Sequence, residues 1–222
     1  MIAAAGSGER LGAGGPKAYV VLGGRPMLAW SLVAAAAADS IRQIVIAAPP
    51  GTEGRAEEVA AQAGVEARAV PGGEHRSDSV ALALEHAEHD YVVVHDAARP
   101  LASAALMDRV VQRLAADPDI ASVIAAAPVS DTIKEASGAR KVLRTPERSR
   151  LWAVQTPQAF RTESLRDAIA AHDGDLSGVT DDAMLIEREG GDVLIHEAST
   201  ENLKVTTPLD LRVAQMLLAE RD

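Results

Sequence analysis

Gly6, Gly8, Arg10 and Lys17 are the residues whose types and spacing most directly imply chemistry in this chain. They lie in the opening run AAAGSGERLGAGGPK, where small apolar residues lead into a glycine-rich loop that closes on Pro16 and Lys17. Gly6 and Gly8 can adopt positive φ and bring backbone N–H groups against an anion, while Arg10 and Lys17 add positive charge around it. The familiar phosphate loops do not fit. A Walker loop follows its lysine with Ser or Thr, whereas Ala18 follows Lys17, and a dinucleotide fingerprint needs a glycine where Leu11 stands. What remains is a phosphate loop with two cations, or an ordinary surface turn that carries the same residues.

Composition narrows the choice. At 222 residues the chain suits one domain with a sizeable core, here taken as 1–222. Hydrophobic residues make up 47% but aromatics only 2%, so the core must be built from Ala, Val, Leu and Ile. A formal net charge of -10 argues against nucleic acid or an acidic membrane as partner, and any anionic substrate must meet locally clustered cations. The absence of cysteine excludes disulfides and thiolate metal sites. The apolar run around Met27 to Ala38 is too short to span a bilayer, and the start lacks the layout of a secretory signal, so a soluble, cytoplasmic protein is expected.

The elements that must position the loop follow from periodicity. Ile41–Ala47, Tyr91–His95 and Ala121–Ala126 read as strands; Met27–Ala38, Glu53–Ala63, Ser77–Ala87 and Ser103–Ala116 read as helices. In the last, Leu106, Val110 and Leu114, joined by Met107 and Val111, form one apolar face. Strand–helix alternation predicts a doubly wound, mostly parallel α/β sheet with ligands at the carboxyl ends of its strands. The first strand has few residues to form from before Gly6, so a misplaced start codon or missing upstream residues are both open. After Pro128 the alternation gives way to a polar, basic stretch, about 129–150, with a turn at Gly138 and a returning strand near Lys141–Leu143. That pattern describes either a projecting hairpin or a solvated surface excursion.

Five motifs stand in order along the chain: GSGERLGAGGPK, GGEHRSDS, VHDAARP, PVSDTIK with LWAVQTPQAF, and TDDA with ENLKVT. The set resembles the 2-C-methyl-D-erythritol 4-phosphate cytidylyltransferase family, which joins CTP to a methylated tetritol phosphate in non-mevalonate isoprenoid synthesis. The resemblance implies a Rossmann-like, GT-A-like nucleotidyltransferase whose projecting β-hairpin arm mediates a homodimer. It implies catalytic roles for Arg10, Lys17, Arg148 and Lys204, with Arg148 supplied across the dimer interface. CTP is expected against Ala4, Ala5, Gly6, Gly8, Gly72, Arg76, Ser79 and Asp96, and the polyol phosphate against Arg99, Asp131, Thr132 and Thr156. Asp96 is also the expected ligand of a magnesium ion, as suits a cation that takes one or two carboxylates plus phosphates and water.

The chemistry matches those residue types. A phosphate oxygen must attack the α-phosphorus in line and expel pyrophosphate, so two anionic groups are pressed together, and cations rather than a general base carry the burden. Ser79 also reads as an ordinary first-turn helix residue and His75 as a surface residue. Asp181 and Asp182 read as support for the site or as favourable charge at a helix N-terminus, and His86 and His89 as a solvated helix end. Ala18 and Asp182 depart from the glutamine and glutamate common at those positions. A cytidylyltransferase for another polyol phosphate, such as ribitol 5-phosphate, is the nearest rival; a silent nucleotide-binding regulator and a dehydrogenase are more distant ones. At the carboxyl end, ENLKVTTPLDL reads as a loop, a short strand and a helix capped by Thr207 with Pro208 in first position.

Overall fold

The computed structural model describes residues 1–8, 11, 12, 14–172 and 176–220. Along the chain run β1 (Ile2–Ala3), β2 (Val21–Leu22), β3 (Arg25–Pro26), α1 (Met27–Ala36), β4 (Val45–Ala48), α2 (Glu53–Gln62) and β5 (Arg68–Pro71). There follow α3 (Arg76–Leu84), β6 (Tyr91–Asp96), α4 (Ala104–Ala115), β7 (Ser122–Pro128), β8 (Glu135–Ala136) and β9 (Val142–Arg144). The last group is β10 (Trp152–Arg161), α5 (Thr162–Ala171), α6 (Ala183–Arg188), β11 (Val193–Glu197) and α7 (Pro208–Ala219).

The central sheet has seven strands in the order β11-β7-β10-β6-β1-β4-β5. All neighbours are parallel except β10, which runs antiparallel between β6 and β7. The chain winds from β1 toward β5 on one side and then crosses to β6 on the other. Strand order therefore reverses between β1 and β6, where an open α/β sheet leaves a crevice for ligands. The two residues of β1 suffice because both edges are paired: Ile2 and Ala3 face Ile46 and Ala47 on one side, His95 and Asp96 on the other.

Side-chain alternation divides the core between the two faces of the sheet. Val93, Val123, Ala125 and Ala159 pack under α4, whose Leu106, Val110 and Leu114 are buried as predicted. Val92, Val94, Ile124 and Phe160 point the other way, toward α3, α5 and α6. Ser103 Oγ accepts from the Leu106 N–H at 3.2 Å and caps α4. Alanines at Ala47, Ala48, Ala56, Ala60 and Ala125 are almost fully buried, so small side chains let helices lie close to the sheet.

Two predicted strands differ. Residues 41–44 are not strand, because the Ile41 N–H is used to close the exit of α1 on Ala38 and pairing starts only at Val45. The segment around Leu203–Thr206 is also no strand: the Val205 N–H makes one backbone hydrogen bond to Ala98, and the Thr206 and Thr207 N–H groups donate to the Asp210 carboxylate that caps α7. Thr207 and Pro208 open α7 as expected. The hairpin prediction holds: β8 and β9 are antiparallel partners joined through a turn closed by Arg140 N–H on the Ser137 carbonyl at 2.8 Å.

Phe160 is the chain's one phenylalanine and is fully buried beside Val92, Val94 and Leu165. Phe160→Ala should cost about 3–5 kcal/mol in urea unfolding, because the cavity cannot refill from neighbours of that size. Thr207→Ala, which removes the acceptor for the Asp210 N–H, should cost about 1 kcal/mol in the same assay.

Candidate active site

A cleft of about 550 Å³ opens at the β1/β6 reversal. One wall is the chain from Ala3 to Gly8 with Lys17 and Ala18; another is Gly73–Arg76 with Ser79; Asp96–Ala98, Lys204 and Thr206 complete it. Ala4, Ala5, Gly6, Gly8, Lys17, Arg76, Ser79, Asp96 and Lys204 are thus brought together in one cleft. Arg10 lies outside the described residues.

Gly8, Gly12 and Gly14 of the glycine loop take positive φ. Gly8 has φ +76°, and a Cβ there would stand 3.0 Å from the Lys17 Cβ. Gly6 contributes differently from expectation: its φ is not positive, and its carbonyl accepts the Lys17 N–H at 3.2 Å. The two glycines together return the chain so that Lys17 opens a short 3₁₀ turn on the cleft wall.

Gly72 solves a packing problem behind the second wall. A Cβ there would fall 2.5 Å from the Ala5 Cβ and 2.9 Å from Ser79 Oγ, so only glycine lets the chain leaving β5 pass the chain leaving β1. Ser79 Oγ accepts from the Gly73 N–H at 3.1 Å and donates to the His75 carbonyl at 3.0 Å, shaping the loop that opens α3. His75, expected as an ordinary surface residue, lines the cleft instead, because its N–H is bound by the Asp78 carboxylate at the helix start. Its place in GGEHRSDS, three residues before an aspartate, is the local signal for that cap.

Asp96 is the hub. Its Oδ1 accepts from Arg76 Nε at 2.7 Å and its Oδ2 pairs with Lys204 Nζ at 2.7 Å. Burial pushes its carboxyl up, but the two cations outweigh burial and hold it well below the usual carboxylate range. Arg76 reaches on through Nη1 to Asp182 Oδ2 at 2.6 Å. Asp182 has one cation where Asp96 has two, so burial wins there and raises its carboxyl, with Arg76 opposing. Lys204 owes its place to Val205, whose N–H donates to the Ala98 carbonyl at 2.8 Å. Among the described residues no three His, Cys, Asp or Glu side chains form a metal cluster; Asp96 and Glu74 are the carboxylates that line the cleft.

Arg99 and Thr156 sit behind the cleft wall, not on it. Arg99 Nη1 and Nη2 donate to the carbonyls of Asn202 (2.7 Å) and Val154 (3.2 Å), tying the Lys204 segment to β10. Thr156, at a register irregularity in β10, accepts the Asp96 N–H at 2.9 Å. Its hydroxyl also meets His95 Nδ1 at 3.1 Å, while His95 Nε2 meets the Arg99 carbonyl at 3.2 Å. A carbonyl only accepts, so Nε2 carries the proton and Nδ1 accepts from Thr156. Asp131, Thr132 and Arg148 are exposed on the arm and line no part of the cleft in the single chain; Arg148 Nη1 donates to the Ser130 carbonyl at 2.8 Å.

The family model for 2-C-methyl-D-erythritol 4-phosphate cytidylyltransferase matches residues 1–220. The chain belongs to that family. It is 44% identical to 2-C-methyl-D-erythritol 4-phosphate cytidylyltransferase of Prochlorococcus marinus (strain MIT 9313), over 100% of this chain and 98% of the relative. The crystal structure of 2-C-methyl-D-erythritol 4-phosphate cytidylyltransferase from Thermus thermophilus aligns with TM-score 0.79 at 35% identity, covering 98% of this chain and 97% of that one. The 4-diphosphocytidyl-2C-methyl-D-erythritol synthase from Anaerococcus prevotii aligns with TM-score 0.82 at 26% identity, over 95% and 93% of the two chains. As a 2-C-methyl-D-erythritol 4-phosphate cytidylyltransferase family member, the chain is a CTP-dependent nucleotidyltransferase of isoprenoid synthesis, which sets aside the dehydrogenase, the silent regulator and the ribitol phosphate enzyme. No helix among the described residues is long and apolar enough to cross a membrane.

The buried His95 gives the cytidylyltransferase site a pH signature. Burial, with Arg99 and the amino terminus adding to it and Asp96 opposing, lowers its imidazole to about 4. The fold therefore favours the neutral ring: its contribution is complete above the unfolded value of about 6.5 and is lost as pH falls toward 4. Urea unfolding should show wild type losing about 3 kcal/mol more than His95→Gln across that interval. Equal slopes would mean that His95 is not held neutral.

Proposed function

We propose that the cleft holds CTP with its triphosphate along the Gly6–Gly8 loop and its base against Gly73, Ser79 and Ala5. An oxygen of the acceptor phosphate attacks the α-phosphorus; the new P–O bond forms as the bond to the β-phosphate breaks, and pyrophosphate leaves. The observation that carries this reading is that Lys17, Lys204 and Asp96 line one cleft at the strand reversal, with Lys204 ion-paired to Asp96. Lys17, with Arg10 from the same loop, stabilises charge developing at the α-phosphate. Lys204 orients the attacking phosphate, which is already an anion and needs no base to become nucleophilic. Arg76 lines the cleft and spends Nε and Nη1 on Asp96 and Asp182, and Arg99 and Thr156 act from behind by fixing Asp96 and the Lys204 segment.

A single carboxylate fits magnesium, which usually completes its shell with substrate phosphates and water. Asp96 is the residue that would hold it. Magnesium bound there supplies charge neutralisation for the triphosphate and the leaving pyrophosphate.

The arm supports a homodimer. Ile133, Val142 and Leu143 are exposed on it, left uncovered by the described residues of the same chain. Pairing of two arms buries these residues and carries Arg148, Asp131 and Thr132 to the partner's acceptor site. The reading places the enzyme in the cytoplasm, where CTP is made.

Magnesium-dependent pyrophosphate release from CTP should be faster with 2-C-methyl-D-erythritol 4-phosphate than with ribitol 5-phosphate or no acceptor; silence with all three overturns the reading. Lys17→Ala should lower kcat about a hundredfold or more, and a raised KM with normal kcat would remove Lys17 from transition-state stabilisation. A mixed dimer of Arg148→Ala and Lys17→Ala subunits should recover part of the activity, because one of its two sites then has both residues. No recovery in a verified mixed dimer would place both in one chain's site.

A further inference from the structure

Asp182 touches nothing in the cleft, yet it is fully buried and bonded to the network that lines it. Its neighbour Asp181 accepts from Gln158 Nε2 at 3.0 Å, and Gln158 is paired in β10 between Val94 and Ile124. The segment before α6 is thus fastened to the sheet at one residue and to Arg76 at the next. Arg76 opens α3, and its side chain is 22% exposed on the cleft side. The 2.6 Å bond to Asp182 holds the far end of that long side chain. With Nη1 held there, Nε is fixed on Asp96 Oδ1. Among the described residues the other oxygen of Asp96 meets the more exposed Lys204 ammonium.

We propose that Asp182 is a positioning residue: through Arg76 it pins Asp96 Oδ1, and so makes Oδ2 the one oxygen of that carboxylate that exchanges partners when substrates bind. The inference rests on the reading that CTP occupies this cleft. It has a charge consequence that a purely structural residue lacks. Asp182, Arg76, Asp96 and Lys204 carry two acidic and two basic groups. Removing the acid farthest from the cleft leaves the nucleotide facing a net positive set, so binding survives or tightens while the carboxylate that must be aligned for turnover loses its anchor.

The test measures kcat by pyrophosphate release, CTP affinity by calorimetry with magnesium, and thermal melting, for wild type, Asp182→Asn, Asp182→Glu and Arg76→Lys. The expected result is a split: Asp182→Asn loses about tenfold or more in kcat with CTP affinity unchanged or higher, and Asp182→Glu, which restores the acid, recovers most of the loss. Arg76→Lys keeps the cation but cannot span both carboxylates. It should show the same split, and it keeps the test decisive if Asp182→Asn does not fold. A kcat within twofold of wild type, or kcat and CTP affinity falling together with the melting temperature, overturns the positioning role. Wild type releasing no pyrophosphate would instead overturn the reading of the cleft.

Discussion

An ionised carboxylate kept out of water is the constraint on which the rest of this structure depends. Asp96 is 5% exposed and remains charged because Arg76 and Lys204 each take one of its oxygens. An isolated buried carboxylate would neutralise itself, and a buried pair is stable only when its partners are themselves held. Each partner is accordingly anchored from elsewhere: Arg76 by Asp182, Lys204 by the backbone hydrogen bond between Val205 and Ala98. Behind the carboxylate, Thr156 takes the Asp96 N–H and His95 locks Thr156, so even the main chain of the hub is fixed by a side chain from a neighbouring strand far away in sequence. In a chain of net charge -10, this local gathering of cations is what makes an anionic substrate tolerable.

Packing with small side chains is what allows those groups to converge. Ala5, Gly72 and Ser79 meet where the chain leaving β5 passes the chain leaving β1, and a single methyl group at Gly72 would force them apart. Gly8 lets the loop fold back until Lys17 touches it. The same economy runs through the core, where buried alanines line β4 and β7 and the chain's one phenylalanine fills its space on the α3 and α5 face. A cleft lined this way suits a pyrimidine and its phosphates, with precision supplied by backbone and by charges set from behind.

Much of this was legible in the sequence. The α/β alternation, the glycine loop, the arm and the capping of α7 are patterns of neighbouring residues. The ordered motifs carry the family resemblance without any coordinates. The antiparallel β10 did not show, because WAVQTPQAFR mixes buried glutamines and a proline with few β-branched residues and gains its strand character from lying between two other strands. The link from Arg76 to Asp182 did not show either: the two residues are 106 positions apart, and no local pattern announces a bond across that distance. The resemblance sets Arg99 against the polyol phosphate, whereas its Nη1 and Nη2 donate to two carbonyls that hold the cleft wall in shape.

The direct test of this account is the protonation of Asp96 itself. Carboxyl-carbon NMR of the folded protein, with Asp96 assigned through Asp96→Asn, should show its resonance unchanged from pH 7 down to the onset of acid unfolding, as a carboxylate clamped between two cations requires. A titration with a midpoint at or above the ordinary aspartate value of about 3.9 would contradict it, and would mean that Arg76 and Lys204 do not hold the charge on which the site is built.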